Sequence, residues 1–268
     1  MSQREYAVAA EGFGLKGPRG QVFDGITFTA PEGSLVALEG PSGSGRTCLL
    51  LALTGRMKAT SGHADVHGER LPKRLAAVRR ISALGSVPGV TDLDPALTVT
   101  EQLRERVLLQ RRFGGSLRSL LRPRAERAAA SRARLEAALG AAGLDLDALP
   151  RGGRTSVRDL GRLEELRLSL ALALLGEPRV LAVDDADLKL SDAEREEMWA
   201  LLRSLAGTGT GTGARTGLTV LAACSEAPEG ALVVRTGEQR TPTDRDDEKT
   251  EAEKKGEAFD ALAEASRA

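Results

Sequence analysis

The sequence predicts an α/β fold with an inserted helical subdomain and a disordered, polar C-terminal tail. Three observations carry the prediction. Gly40-Pro41-Ser42-Gly43-Ser44-Gly45-Arg46-Thr47 stands between two apolar runs, Leu35-Val36-Ala37-Leu38 and Leu49-Leu50-Leu51-Ala52-Leu53. That is the strand, glycine loop and helix order of a phosphate-binding loop. A second apolar run, Val180-Leu181-Ala182-Val183, ends in the paired carboxylates Asp184 and Asp185. Between these two strands, Glu101 to Leu144 is rich in Ala, Leu and Arg and holds no strand-like run.

Taken in order, Tyr6 to Ala10 reads as a short strand. Gly12-Phe13-Gly14 and Gly17-Pro18-Arg19-Gly20 read as turns. Val22 to Ala30 alternates as a second strand, and Pro31-Glu32-Gly33 turns into the strand that feeds the glycine loop. Ala64 to Val66 is a short strand after Ser61-Gly62. Leu71 to Arg80 reads as a helix with Leu71, Leu75 and Val78 on one face, and Ile81 to Val87 as a strand. Thr98 and Glu101 have the spacing of a capping box, which opens a helical insertion whose arginines form a solvated face.

Asp159 to Leu175 is helical and increasingly apolar, with Gly176 as its stop and Pro178 beyond. Ser191 and Glu194 make a second capping box before a helix with Met198, Leu201, Leu202 and Leu205 on one face. Gly207 to Gly217 is a Gly/Thr loop. Leu218 to Ala223 and Ala231 to Val234 are short strands. Thr241 to Glu257 is polar and charged and reads as disordered. Phe259, Leu262 and Ala263 belong to a fraying tail. The expected organisation is residues 1–237 as one nucleotide-binding unit, a helical subdomain at about 99–149, and a tail at 238–268.

Composition excludes several classes. The chain has 268 residues, with Lys plus Arg equal to Asp plus Glu at 38 each. Zero net charge and 3% aromatics give no nucleic-acid footprint and no stacking platform. Cys48 and Cys224 lie far apart, which suits a reducing compartment better than a disulfide framework. The start, Met1-Ser2-Gln3-Arg4-Glu5, leads into no signal-type apolar core. The apolar patch Leu168 to Leu175 is too short to span a bilayer. A soluble cytoplasmic protein is expected, and any membrane role needs a separate membrane partner.

The chemistry follows from residue types. Glycines let backbone N–H groups turn inward without Cβ clashes. The next helix aims its N-terminal donors and partial positive charge at the same point. Thr47 offers a hydroxyl to Mg²⁺. Asp184, at the end of an apolar strand, supplies the carboxylate that holds Mg²⁺ through water. Asp185 is placed to polarise an attacking water. Arg46 stands where the loop motif calls for Lys, and a planar fork is no equivalent of a compact ammonium. Cys48 lies in the first helical turn, where a helix N-terminus can lower a thiol pKa, but a lone cysteine reads first as a small packed residue. His63 and His67 flank a turn bounded by Gly62 and Gly68 and are assigned no metal.

The order of these pieces resembles the nucleotide-binding domain of an ATP-binding cassette (ABC) transporter, over roughly Tyr6 to Gly237. Gly40 to Thr47 matches the family's Walker A loop. Thr98 to Leu103 resembles the helix after its Q-loop, and Leu166 to Leu181 its long helix and Pro turn. Asp184 matches the Walker B aspartate. The resemblance implies a P-loop NTPase core of ABC ATPase type. It implies ATP and Mg as cofactors, with Gly40 to Thr47 and Cys48 around the nucleotide, and Thr47 and Asp184 at the metal. It implies homo- or heterodimers and a permease partner at the inner face of the membrane.

The departures from that pattern are numerous. Asp185 replaces the catalytic Glu, retracting the carboxylate by roughly 1 Å, a misplacement that costs about 100-fold in rate. The Q-loop glutamine falls at Gly89 and the switch histidine at Ser225. The signature loop aligns with Leu160-Gly161-Arg162-Leu163-Glu164. The D-loop aspartate falls near Ser191, with Asp192 one residue off. The adenine-stacking aromatic falls near Gly17. Because family dimers are head-to-tail, Arg162 and Leu163 act on the partner's site, where Arg162 either reaches phosphates or is a surface charge.

The expectation is an ATP-binding transporter subunit that binds Mg-ATP and hydrolyses it slowly. The alternative is a catalytically inactive cassette-fold scaffold or regulator. These two differ at Arg46, which would pair with Asp184 across a closed loop in the scaffold. A small-molecule kinase is a weaker rival, since no lid or second-substrate segment is evident.

Overall fold

The computed structural model describes residues 6–113, 123–207 and 217–237. The chain divides after Thr236. The expected tail, with Phe259, Leu262 and Ala263, lies outside the described residues. So does most of the Gly/Thr loop.

A five-stranded parallel sheet is the frame of the site. β3 (Leu35–Glu39), β6 (Ser82–Leu84), β7 (Val180–Val183), β8 (Thr219–Cys224) and β9 (Leu232–Arg235) lie in the order β6-β7-β8-β3-β9. Side chains alternate between the faces of a strand, and both faces here are apolar, as parallel sheets require. Val36 and Leu38, Val180 and Ala182, and Leu221 and Ala223 pack on one side. Leu35 and Ala37, Leu181 and Val183, and Val220 and Ala222 pack on the other. This is why these strands read as unbroken apolar runs.

The first face is covered by α1 (Arg46–Leu53), of which Leu49 to Leu53 are all buried. An antiparallel sheet packs there too, in the order β2-β1-β4-β5. Its strands are β1 (Tyr6–Gly17), β2 (Gly20–Pro31), β4 (Ser61–Val66) and β5 (Glu69–Leu71). The second face is covered by α5 (Arg162–Leu174) and α6 (Asp192–Leu205). α3 (Val99–Phe113) and α4 (Arg124–Ala141) fall within 99–149. Val99, Leu103, Ala138 and Ala142 join the core beside α5.

Both capping boxes form. Glu101 N–H donates to Thr98 Oγ1 at 3.3 Å and Thr98 N–H to Glu101 Oε2 at 2.9 Å. Ser191 and Glu194 reciprocate at the start of α6. On α6, Met198, Trp199, Leu202 and Leu205 are buried, with Leu201 packed at the margin.

Several local readings change, and the strand expected at Ile81 to Val87 is only Ser82–Leu84, Ile81 closing the helix before it. Gly12-Phe13-Gly14 is no turn: it is a register shift within β1, with Gly12 at φ +55°. Leu71 belongs to β5, because Pro72 supplies no N–H and α2 (Leu75–Ile81) starts only after it. α5 begins at Arg162, Asp159 lying in a separate 3₁₀ turn, Val157–Asp159. After α5 the left-handed residue is Glu177, φ +48°, and not Gly176.

Candidate functional site

Parallel topology brings the carboxyl ends of β3, β8 and β7 side by side. Glu39 pairs with Cys224, and Val183 with Ala222. The segments that leave these ends are Gly40 to Gly45, Ser225 onward, and Asp184 to Asp187. Sequence-distant residues therefore converge at one point, as ligand sites do in open α/β sheets.

The loop is shaped by its glycines. Gly45 is the N-cap of α1 with φ +87°, and a Cβ there would lie 2.4 Å from the Val22 carbonyl oxygen on β2. Ser44 N–H donates to Pro41 O at 3.2 Å, closing the turn. The first turn of α1 carries no acidic residue of its own, so its N-terminal N–H groups present a positive end.

Thr47 and Asp184 meet. Thr47 Oγ1 donates to Asp184 Oδ2 at 2.7 Å. Asp184 is 2% exposed, and its Oδ1 is buried without a hydrogen-bond partner. Burial pushes its pKa above the ordinary carboxylate value, the Thr47 bond opposing. A hydroxyl oxygen and a buried, half-satisfied carboxylate are hard donors that suit Mg²⁺. An orphaned buried acceptor is costly unless something fills it. The residues present fit the group.

Arg46, 11% exposed at its side chain, pairs with Asp185, Nη2 to Oδ1 at 3.7 Å. Its Nη1 lies 3.5 Å from Ser225 Oγ, a marginal hydrogen bond. Asp185 itself sits at φ +46°, a conformation aspartate tolerates better than most residues. The expected discriminating contact, Arg46 with Asp184, is not among the ion pairs of the described residues. Asp187, which carried no assigned role, accepts from Ser225 N–H at 2.8 Å and Glu226 N–H at 3.4 Å. The acidic run Asp184-Asp185-Ala186-Asp187 was visible, but which loop it would hold was not.

Other expectations fall outside this cluster. Cys48 does not acquire a lowered pKa: burial pushes the thiol up, and the Asp184 charge adds to it. Cys224, buried at the end of β8, is pushed up to about 12 by burial first. Arg162 Nη1 bonds Glu165 Oε2 at 3.0 Å, the local surface pairing. Gly161 caps α5 without a side chain, and a Cβ there would lie 2.4 Å from Glu164 Oε2. Gly89, φ +75°, donates its N–H to both Asp92 carboxylate oxygens at 3.0 Å. Asp192 pairs with Arg195 at 3.0 Å. His63 lies 3.3 Å from Glu11, and His67 Nδ1 3.2 Å from Glu32.

Comparison with known proteins agrees with this fold. The family model of the ABC transporter matches residues 23–187. Nod factor export ATP-binding protein I of Burkholderia orbicola (strain AU 1054) is 34% identical over 188 residues, 70% of this chain and 55% of the relative. A putative ribose/galactose/methyl galactoside import ATP-binding protein 1 of Rhizobium meliloti (strain 1021) is 31% identical over 194 residues, 71% of this chain and 34% of the relative. The chain thus spans about half the length, or less, of these relatives. Among solved structures, cbiO1 from Clostridium perfringens, part of the ABC transporter complex cbiONQ, superposes with TM-score 0.66 at 18% identity, over 92% of each chain. The ATP-binding cassette MJ0796 bound to ADP and Pi gives TM-score 0.59 at 21% identity, over 82% of this chain and 88% of that one. At such identities the likeness is one of fold.

Proposed function

Because the chain belongs to the ABC transporter family, we propose that it is the ATP-binding subunit of an ABC-type membrane transporter, binding Mg-ATP and hydrolysing it slowly. The observation that carries this is the 2.7 Å bond between Thr47 and the buried Asp184, whose second oxygen stays free. A chain with no use for the site gains nothing from burying that carboxylate half-satisfied.

In this reading Gly40 to Cys48 surround the phosphates. Backbone N–H groups of the loop and of the first turn of α1 bind oxyanions, and Arg46 adds a full charge. Thr47, and Asp184 through water, would hold Mg²⁺, which when bound neutralises phosphate charge. Asp185 accepts a proton from the attacking water. It does so poorly, because its side chain is short and faces the Arg46 guanidinium. Slow turnover follows from those residues together with Gly89 and Ser225.

The organisation we propose is residues 1–237 as the nucleotide-binding unit, with a helical subdomain at about 99–149 and a separate tail. No helix of the described residues is long and apolar enough to cross a membrane. We assign the transport path to a separate permease, with this chain at the inner membrane face in a homodimer or heterodimer. The relatives include an export and an import protein, and we leave the direction and the cargo to that permease.

Steady-state ATP turnover of the purified chain, with Asp185→Asn beside it, tests the reading. Slow turnover, lowered further by the substitution, is expected. Brisk turnover abolished by Asp185→Asn contradicts slow hydrolysis. The scaffold reading has one supporting observation, the Arg46–Asp185 pair that covers the base. Mg-ATP binding without any turnover would favour it.

A further inference from the structure

Ser44 lies in the middle of the phosphate loop between Gly43, φ +83°, and Gly45, φ +87°. Gly45 packs closely on Val22, whereas a Cβ on Gly43 would touch nothing within 4 Å, so the loop is free to rotate on the Gly43 side of Ser44. Besides the Ser44 N–H bond to Pro41 O, the loop is held at Ser44 through that residue's side chain.

That contact comes from the far end of the chain. Thr236 follows β9 directly and is 3% exposed. Its N–H donates to Glu39 O at 2.8 Å. Its Oγ1 lies 3.2 Å from the same carbonyl and 2.7 Å from Ser44 Oγ. A carbonyl only accepts, so the arrangement that satisfies both hydroxyls has Thr236 donating to Glu39 O and Ser44 donating to Thr236 Oγ1. Gly40 completes the contact. A Cβ at residue 40 would lie 2.4 Å from Thr236 Oγ1, 2.6 Å from Thr236 O and 2.6 Å from Ser44 Oγ. The first glycine of the loop is thus required by Thr236.

We propose that Thr236 is a positioning residue for nucleotide binding: its hydroxyl pins Ser44, and so holds the loop's backbone N–H groups in the arrangement that receives phosphate. The inference rests on the nucleotide-binding reading above and adds to it a residue outside the Gly40–Thr47 motif. Removing the hydroxyl frees the Ser44 side chain and lets Gly43 take up other conformations.

The test is calorimetric Mg-ATP affinity of the full chain and of Thr236→Val, Thr236→Ser, Ser44→Ala and the double variant Ser44→Ala/Thr236→Val, with a thermal melt of each. Thr236→Val should raise Kd about tenfold, the scale of one lost buried hydrogen bond. Thr236→Ser, which keeps the hydroxyl, should restore affinity to within about twofold of the parent. Because both residues act through one bond, the double variant should bind no more weakly than the weaker single. A Thr236→Val chain that binds as the parent does overturns the proposal. So does a Thr236→Ser chain as weak as the valine variant, or losses that add in the double variant. If Thr236→Val does not fold, Thr236→Ser and Ser44→Ala decide the matter. A parent chain that binds no Mg-ATP overturns the nucleotide-binding reading and this inference together, whereas binding by the parent unmoved by Thr236→Val overturns this inference alone.

Discussion

Arg46 reaches across the site to Asp185, Nη2 to Oδ1 at 3.7 Å, and its other terminal nitrogen lies 3.5 Å from Ser225 Oγ. Three positions that the sequence reading sets apart from the family pattern are therefore joined through Arg46. We propose that residues 46, 185 and 225 act as one local arrangement.

If the short carboxylate limits turnover, Asp185→Glu should raise the steady-state ATPase rate by roughly ten- to a hundredfold. Glutamate tolerates a positive φ less well than aspartate, so the variant should lose on the order of 1 kcal/mol of stability. Parallel turnover and urea-melt measurements check both halves.

Thr47→Val removes the side-chain donor to Asp184 and leaves that buried carboxylate one hydrogen bond poorer. We expect a loss of about 1–3 kcal/mol in stability. The Mg²⁺ dependence of nucleotide binding should weaken by about tenfold or more. Thermal melting and Mg²⁺ titrations read the two effects separately.

The loop glycines should differ in their tolerance of alanine. Gly45→Ala places a Cβ 2.4 Å from Val22 O at φ +87°, and backbone against backbone yields little. It should cost roughly 2–4 kcal/mol and abolish nucleotide binding. Gly43→Ala meets open space and should cost only about 1 kcal/mol for its conformation. Equal losses at the two positions would refute the close-approach argument.

The sheet and its loop were legible because apolar runs, glycines and a strand-end carboxylate are local signals. Asp184 and Thr47 could be named from such signals. Leu71 was misplaced because its spacing to Leu75 and Val78 fits a helix, while Pro72 and the partner strand β4 decide otherwise. Thr236 carried no signal at all: it is one threonine after a short strand, 192 residues from Ser44. The Arg46–Asp185 contact also escaped, since it depends on side-chain lengths at three positions that only the parallel register brings together. At Cys48 burial and the Asp184 charge outweigh the helix end, in keeping with a small packed residue.

His67 predicts a pH dependence remote from the loop. Its side chain is fully buried, with Nδ1 3.2 Å from Glu32, and Arg179 lies 3.1 Å from the same Glu32 oxygen. Burial pushes its pKa below the usual value, the Arg179 charge adds to that, and Glu32 opposes both. Below about pH 6.5 the unfolded chain takes up a proton that the folded chain refuses. Stability from this residue is therefore present above that pH and is lost as pH falls toward the lowered folded value. Thermal melts from pH 7.5 to 5 should show the decline, and His67→Gln should flatten it.

The central claim is that the loop is a live nucleotide site with Arg46 in the place of the usual lysine. Calorimetric titration of Mg-ATP into the purified chain, with Arg46→Ala alongside, tests it most directly. Binding with Kd on the order of 0.1 mM is expected, with at least about a tenfold loss in Arg46→Ala. No heat of binding at millimolar ATP, or equal affinity in the two proteins, would contradict it.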